Sequence, residues 1–534
     1  MQQLTIWARD RMNGWVEEIQ DQLGLIENTT ERVANKYSIL LVSALSLLYL
    51  AITIRLANAK LFWTDEFFTL YLGRLGPRDL WRALLTGGDQ HPPTFYLMHH
   101  LFASIFGEHP WALRLPSILC FLLMMLCVYL FVARRTSVSY GLIAMVAPTA
   151  PKAYEYAYEA RGYGPLLGFV ALAILCWQQI GYSRWRTAAT LGMAAALLSA
   201  VSCHYYAVLL VPAVAMAEIV RCLRRKAWNP WVWLALCSPI ILLVAFLPLI
   251  RSSGGFAPTF WAKANVEEIN IYFKNVAAYA ITPIGFALVA AGLYRLFRNR
   301  ATRPPVESSR TMPIEEILLA VAVAAAPLTT YLFGKTITGA FAWRYAIDGV
   351  VGITILFGYF CFKIFRGNVI AAWLIILTMV GFFFLTSQAK LGSLVQERAS
   401  LANIMSLLQS KSDGSQPLII GETKAFYAMC YYGPQTMKGR FTYLVDSERS
   451  VKYLHHDTNE RSLRALNPWF GLNVKPYKPY IETHPQMLVF SGLDKKWTWL
   501  PSALLDDGEK LTILARRGEG LVYSASRGES GTSH

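Results

Sequence analysis

Asp65 and Glu66 stand side by side just beyond a long apolar segment, inside FWTDEFFTLYLGRLGPRDLWRALLTGGDQHPPTFY, residues 62–96. An ionised carboxylate at the edge of a bilayer is costly unless it has a partner or water. So placed, it can take the proton from an acceptor hydroxyl or orient that hydroxyl for attack. Later in the same stretch His91-Pro92-Pro93 makes a rigid turn that aims the histidine, because each proline fixes φ and pushes the preceding residue towards extended backbone. Glu159 and Arg161 close the run Pro151-Lys-Ala-Tyr-Glu-Tyr-Ala-Tyr-Glu-Ala-Arg-Gly-Tyr163, and Arg344 lies within Trp343-Arg344-Tyr345, with Lys335 shortly before it. Cations so spread can stabilise charge building on a departing phosphate. Two acidic sites and several cations form the set that transfer of a sugar from a lipid-phosphate donor needs. Plainer readings stand beside each: Asp65 as a helix N-terminal acid, His91-Pro-Pro as a helix start, the tyrosine run as an interfacial belt with a local ion pair, and Arg344 as a snorkelling side chain. His99, His100, His204, His455 and His456 have no partners at ligand spacing and read as surface or packing residues.

The elements that must position these groups are membrane spans. Of 534 residues, 54% are hydrophobic and 16% charged, where a soluble domain carries roughly 25% charged; the mean hydropathy is +0.35. The net charge of +16 is spread in short clusters between apolar runs, which reads as topology and excludes a nucleic-acid partner. Eleven spans, within a range of ten to thirteen, are expected at 37–57, 112–132, 138–151, 163–181, 187–203, 205–221, 231–250, 276–294, 314–334, 346–365 and 369–389. The fifth and sixth also read as one hairpin or a re-entrant pair. Every second connection is basic: Arg134 and Arg135; Arg184 and Arg186; Arg221, Arg224, Arg225 and Lys226; Arg295, Arg298, Arg300 and Arg303; Lys363 and Arg366. Cytoplasmic loops carry that excess. The N-terminus is therefore expected inside and the C-terminal region outside, with every chemically unusual stretch, including the 251–275 loop with Trp261 and Lys263, on the outer side.

The first 36 residues are polar and mixed in charge, unlike a cleavable signal peptide. They read as a partly amphipathic leader (Trp7, Trp15, Val16, Ile19, Leu23) lying on the membrane or as an ordinary cytoplasmic tail. Eight cysteines show no CxxC and no Cys/His metal spacing and read mainly as small apolar packing residues. From about 391 the composition changes. An amphipathic helix is expected over 394–410, a buried strand at 417–421, a helix over 422–432, and strands at 441–445, 486–491, 511–515 and 520–524. The tail from 525 is Ser/Gly-rich and reads as disordered. The domains so read are 1–36, a membrane catalytic domain over 37–390, and a small outer α/β domain over 391–534.

At these residues the chain resembles the integral-membrane GT-C glycosyltransferases, in particular the broad family 39-like group of protein O-mannosyltransferases and lipid A aminoarabinose transferases. The resemblance rests on Asp65-Glu66, on QHPPTFYL at 90–97, on LRLPS at 113–117 and on Tyr158-Glu-Ala-Arg-Gly-Tyr163. It covers the first 200 or so residues well and the rest by architecture. It implies a membrane all-α GT-C fold with interfacial helices in the first outer loop and a C-terminal extracytoplasmic α/β domain. It implies inverting transfer of a sugar from a polyprenyl-phosphate donor to a lipid, glycan or protein acceptor outside the cytoplasm; the lack of an outer-domain disulfide framework and of eukaryotic retention signals reads as a plasma membrane of bacterial inner-membrane type. Asp65 then carries over as the catalytic base and Glu159 as a second acid, while Glu66 reads from its position as the neighbour of Asp65 for substrate hydroxyls or an ion. His91, Arg161, Arg344 and Lys335 become donor-phosphate ligands, and Tyr158, Tyr163, Trp343 and Tyr345 the substrate groove. Some relatives have Lys where this chain has His91. No Asp-rich loop supports a metal, and no cofactor beyond the lipid-linked sugar is expected. A transporter or flippase of a lipid-linked sugar is the alternative; it would place ionisable groups near the bilayer midplane and often show two related halves. An inactive scaffold presenting its outer domain is the third reading.

Overall fold

The computed structural model describes residues 22, 24–181, 185–298, 311–412, 416–494, 496–517 and 520–527. The leader residues Trp7, Trp15, Val16, Ile19 and Leu23, the loop arginines Arg184, Arg300 and Arg303, and the tail from 528 lie outside them.

Each of the eleven apolar segments folds as helix. Six are single helices long and apolar enough to cross a membrane: Ser38–Ala59, Pro110–Ala133, Tyr163–Ile180, Arg186–Cys203, Tyr205–Arg225 and Val369–Lys411. Two more are broken pairs, Pro230–Ala245 with Leu247–Gly254 bent by 61°, and Ile314–Ala324 with Ala326–Thr338 bent by 53°. In each pair a proline, Pro248 or Pro327, stands at the start of the second helix. It lacks the N–H that the preceding turn would accept, and its ring clashes with that turn, so the axis bends there. Three further apolar helices, Val138–Thr149, Ile284–Leu293 and Gly349–Ile364, are shorter. At ~1.5 Å rise per residue none matches a ~30 Å hydrocarbon core. By length and composition, among the described residues, six helices, or eight with each bent pair as one span, are long and apolar enough to cross a membrane.

The stretch between the first two long helices is folded into three short helices, Thr64–Gly73, Pro77–Leu84 and Pro93–Phe106. The helix expected over 394–410 is not separate. It is the far end of one 43-residue helix, Val369–Lys411, so no structural break falls at 390. The chain then builds a six-stranded sheet: β1 Leu418–Ile420, β2 Phe441–Val445, β3 Val474–Pro476, β4 Gln486–Gly492, β5 Glu509–Arg517 and β6 Gly520–Arg527. The order is β3-β2-β1-β4-β6-β5. The first four strands are parallel, with Leu418 opposite Phe441 on β2 and Leu488 on β4, and β6 and β5 add antiparallel. All three residues of β1 are buried, as a central strand between helical layers requires. Strand β3 and the helix Thr458–Phe470 were not foreseen, and β6 runs through Arg527, past the point where a disordered tail was expected.

Two apolar cores matter for the site. One fills the membrane helices around Phe121, Tyr140 and Trp177. The other is shared between the first loop and the sheet domain: Phe62, Phe67 and Phe68 pack with Tyr427, Leu466 and Phe470. Phe67 stacks on Tyr427 at 5.4 Å between ring centroids, and Tyr71 stacks on Phe470 at 4.8 Å. The helix carrying Asp65 is therefore held from both sides.

Candidate active site

Asp65 and Glu66 open the helix Thr64–Gly73 but point to different surroundings. Glu66 is fully buried. Its two oxygens accept from Nε and Nη2 of Arg114, each at 2.8 Å, and one also accepts from the amide of Ala160 at 2.7 Å. Arg114 in turn donates to the carbonyls of Ala57, Lys60 and Leu61. Burial works to raise the Glu66 carboxyl, and Arg114 outweighs it, holding the group below the usual range. Glu66 thus ties the first loop to the end of the first long helix, to the LRLPS segment and to the YEARGY segment. It has no capacity left for a substrate.

Asp65 keeps its carboxylate free of backbone partners and a quarter exposed, with Oδ2 3.6 Å from Nη2 of Arg344. Arg344 donates through Nε to the Tyr163 hydroxyl at 3.0 Å, and its guanidinium lies 4.7 Å from the Trp261 ring centroid and 5.9 Å from that of Trp63. These aromatic faces fix a planar cation and leave its edge for a second partner.

Behind them lies a compact polar cluster. His91 Nδ1 is 2.9 Å from Asp89 Oδ1 and 3.0 Å from Nη2 of Arg161. It donates to Asp89 when it carries the proton and accepts from Arg161 when it does not. Arg161 also donates to Asp89 Oδ2 at 3.3 Å and to the Asp65 carbonyl at 3.0 Å. Burial, then the positive charge of Arg161, pushes the His91 imidazole below its ordinary value. For Asp89, burial acts upward and is outweighed by Arg161 and His91, leaving the carboxyl well below the usual range. His204, buried at the end of Arg186–Cys203, packs its ring edge-to-face 5.6 Å from His91 and tilted 5.5 Å from Tyr163 and Tyr345.

These groups line an open cleft of about 480 Å³, solvent at its mouth included. Asp65, Asp89, Gln90, His91, Arg161, Tyr163, Trp261, Arg344 and Tyr345 contribute from the membrane domain and its loops, and Thr458, Asn459 and Ser462 from the sheet domain. Among the expected residues, Asp65, His91, Arg161, Arg344, Tyr163 and Tyr345 therefore meet in one place. The others do not. Glu159 is bound by Lys60 away from the cleft, and burial holds its carboxyl above the usual range despite that lysine. Tyr158 is buried beside Tyr154, with Lys60 over its ring. Trp343 packs on Tyr156 and donates its amide to Glu268 at 2.7 Å. Lys335 is exposed over Tyr331, outside the lining. Asp89 has no place in the sequence reading, and His204, read there as a surface or packing residue, packs among His91, Tyr163 and Tyr345. Asp89, two residues before His91 at a Gly-Gly-Asp turn, left a usable signal in the sequence, whereas His204 left none. Among the described residues no group of three or more His, Cys, Asp or Glu is arranged to hold a metal ion.

Residues 90–250 match the family model for dolichyl-phosphate-mannose-protein mannosyltransferase. The chain is similar in structure to the crystal structure of ArnT from Cupriavidus metallidurans in the apo state, with a TM-score of 0.57 over 92% of this chain and 98% of that one at 13% identity. The fold is the GT-C fold of ArnT. The ArnT structure with undecaprenyl phosphate bound gives a TM-score of 0.55 at 14% identity, over 91% and 97% of the two chains. No curated protein sequence matches. The ArnT-like architecture includes the small sheet domain as well as the helices.

Proposed function

We propose that the chain is a glycosyltransferase that moves a sugar from a polyprenyl-phosphate donor to an acceptor hydroxyl or amine, with Asp65 as base. The observation that carries this reading is the pairing, across one open cleft, of the part-exposed Asp65 carboxylate with the aromatic-clamped Arg344. A base and a phosphate ligand are thereby set within one reaction distance. The match of residues 90–250 to a dolichyl-phosphate-dependent family, and the ArnT structure that holds undecaprenyl phosphate, support the donor class.

In this reading the donor phosphate engages the free edge of Arg344, and Asp65 is released from that cation to face the acceptor. The acceptor's proton passes to Asp65 as its oxygen or nitrogen bonds to the anomeric carbon. The bond from that carbon to the phosphate oxygen breaks, and its electron pair leaves with the polyprenyl phosphate. A single displacement of this kind inverts the anomeric centre. Charge on the leaving phosphate is met by Arg344, with His91 held by Asp89 as a neutral hydrogen-bonding group beside it. Arg161, already engaged by Asp89 and the Asp65 carbonyl, fixes the base rather than binding substrate. Glu66 and Glu159 act by holding the loops. The Lys/Arg alternation supports a cleft on the extracytoplasmic face of a plasma membrane.

Purified protein in nanodiscs, offered a panel of radiolabelled polyprenyl-phosphate sugars, tests the proposal. Turnover of one donor that Asp65→Asn abolishes is the expected result. The two broken helix pairs favour a transporter instead, and movement of the lipid-linked sugar across vesicles without turnover would establish that reading.

A further inference from the structure

The sheet domain's part in the cleft is concentrated in one helical turn. Thr458, Asn459 and Ser462 open the helix Thr458–Phe470 and line the same cleft as Asp65 and Arg344. Thr458 accepts the amide of Trp261 at 3.1 Å, and so is committed to the loop that clamps Arg344. Asn459 and Ser462 are not committed. Ser462 is 3% exposed, and neither side chain has a hydrogen-bond partner among the described residues. The residue is nearly buried while its hydroxyl opens on the cleft without a protein partner, so it is placed to meet a polar ligand there.

The turn is also held to a fixed place from three directions. Asp457 takes the Thr259 hydroxyl at 2.5 Å, and Arg461 donates to the Gly255 carbonyl at 3.0 Å. Leu466 lies so close to Gly88 that a β-carbon there would come within 2.6 Å of it, next to Asp89, Gln90 and His91. Glu460 faces the other way, into the sheet. It accepts from Tyr443 at 3.0 Å, from Ser450 at 2.8 Å and from Trp499 Nε1 at 2.8 Å. Ser450 follows β2 and Trp499 follows β4. In a parallel sheet of order 3-2-1-4 ligands bind beyond the carboxyl ends of the strands, at the point where the order reverses. Here Glu460 reaches into the segments that follow those ends. The domain thus uses its binding crevice to anchor a turn, and the turn offers neutral donors and acceptors to the membrane cleft. The cations and aromatics of the cleft suit a phosphate and its lipid; a neutral hydroxyl and amide suit the substituents of a sugar ring.

We infer that Asn459 and Ser462 hydrogen-bond the ring substituents of the transferred sugar, so that the sheet domain supplies the specificity of the site. This rests on the glycosyltransferase reading above. The test uses the full-length protein in nanodiscs, with wild type, Asn459→Ala and Ser462→Ala. Two polyprenyl-phosphate sugars differing at one ring substituent compete as donors, and binding of bare polyprenyl phosphate is measured alongside. The expected result is a loss of preference between the donors of about tenfold in at least one variant, the worth of one or two hydrogen bonds, carried by KM, with bare polyprenyl phosphate bound as in wild type. An unchanged preference in both variants overturns the inference while leaving the transferase intact. So does a parallel loss of bare polyprenyl phosphate binding, which would make the turn only a structural wall. If the wild type turns over neither these donors nor any other in the panel, the transferase reading itself fails and the inference falls with it.

Discussion

Adjacent residues on a helix point about 100° apart, which is why Asp65 and Glu66 have such different surroundings. Asp65 faces the cleft and Arg344, while Glu66 faces inward to Arg114. Replacement of Asp65 by Asn should lower kcat by about 10²–10⁴-fold, the usual contribution of a general base, with donor binding retained in a filter assay. Arg114→Ala takes from the buried Glu66 its charged partner and leaves it only amide donors such as that of Ala160. Loss of one partner of a buried pair costs about 3–5 kcal/mol, so the melting temperature in detergent should fall steeply, and Asp65→Asn should leave it unmoved. Arg344→Lys should weaken binding of polyprenyl phosphate, because a point charge cannot replace a flat cation held by Trp261. His91 adds a pH dependence. Its pKa is lower folded than unfolded, so its contribution is present above the unfolded value of about 6.5 and fades as pH falls below it. Asp89, also depressed, acts the same way only below about 3.9. Between pH 7 and 5 the melting temperature should therefore drop, and His91→Gln should flatten that slope.

The helices were legible because each apolar run is long and carries its own period. What the runs do not encode is where a helix breaks or continues. Pro248 and Pro327 bend two segments that read as straight, and the helix expected over 394–410 is continuous with the last span, which runs unbroken through Gly392 and Ser393 to Lys411. The first loop is tight at two glycines, Gly87 against the broken helix pair and Gly88 against the sheet domain. Gly87 has φ +75° and would bring a β-carbon within 2.8 Å of the Ser252 carbonyl, and Gly88 abuts Leu466. Gly88→Val should push the helix Thr458–Phe470 off the loop. Hydrogen exchange is expected to rise over 457–470, with activity lost while the membrane helices keep their protection.

At the scale of the molecule, the cleft has walls from both domains, and the contacts closing it join residues far apart in sequence: Asp457 with Thr259, Thr458 with Trp261, Arg461 with Gly255. Asp457→Ala combined with Thr259→Val should loosen this clasp and reduce kcat/KM for the intact donor, with bare polyprenyl phosphate still bound. Composition and periodicity alone determined a helical membrane protein with a small α/β domain after it. Residue type and spacing alone drew attention to Asp65, His91, Arg161 and Arg344, because charges and a rigid Pro-Pro turn beside apolar runs are expensive unless used. Tertiary structure decided which of the acids stays open. Glu66 and Glu159 look as reactive as Asp65 in the sequence, and only packing shows that Arg114 and Lys60 have taken them. It also decided that Asp89 joins His91, that His204 packs edge-to-face against His91, and that a turn nearly 400 residues beyond Asp65 faces the same cleft. Periodicity reports which side of an element is buried; it carries no record of which distant surface does the burying, and the site is made where those surfaces meet.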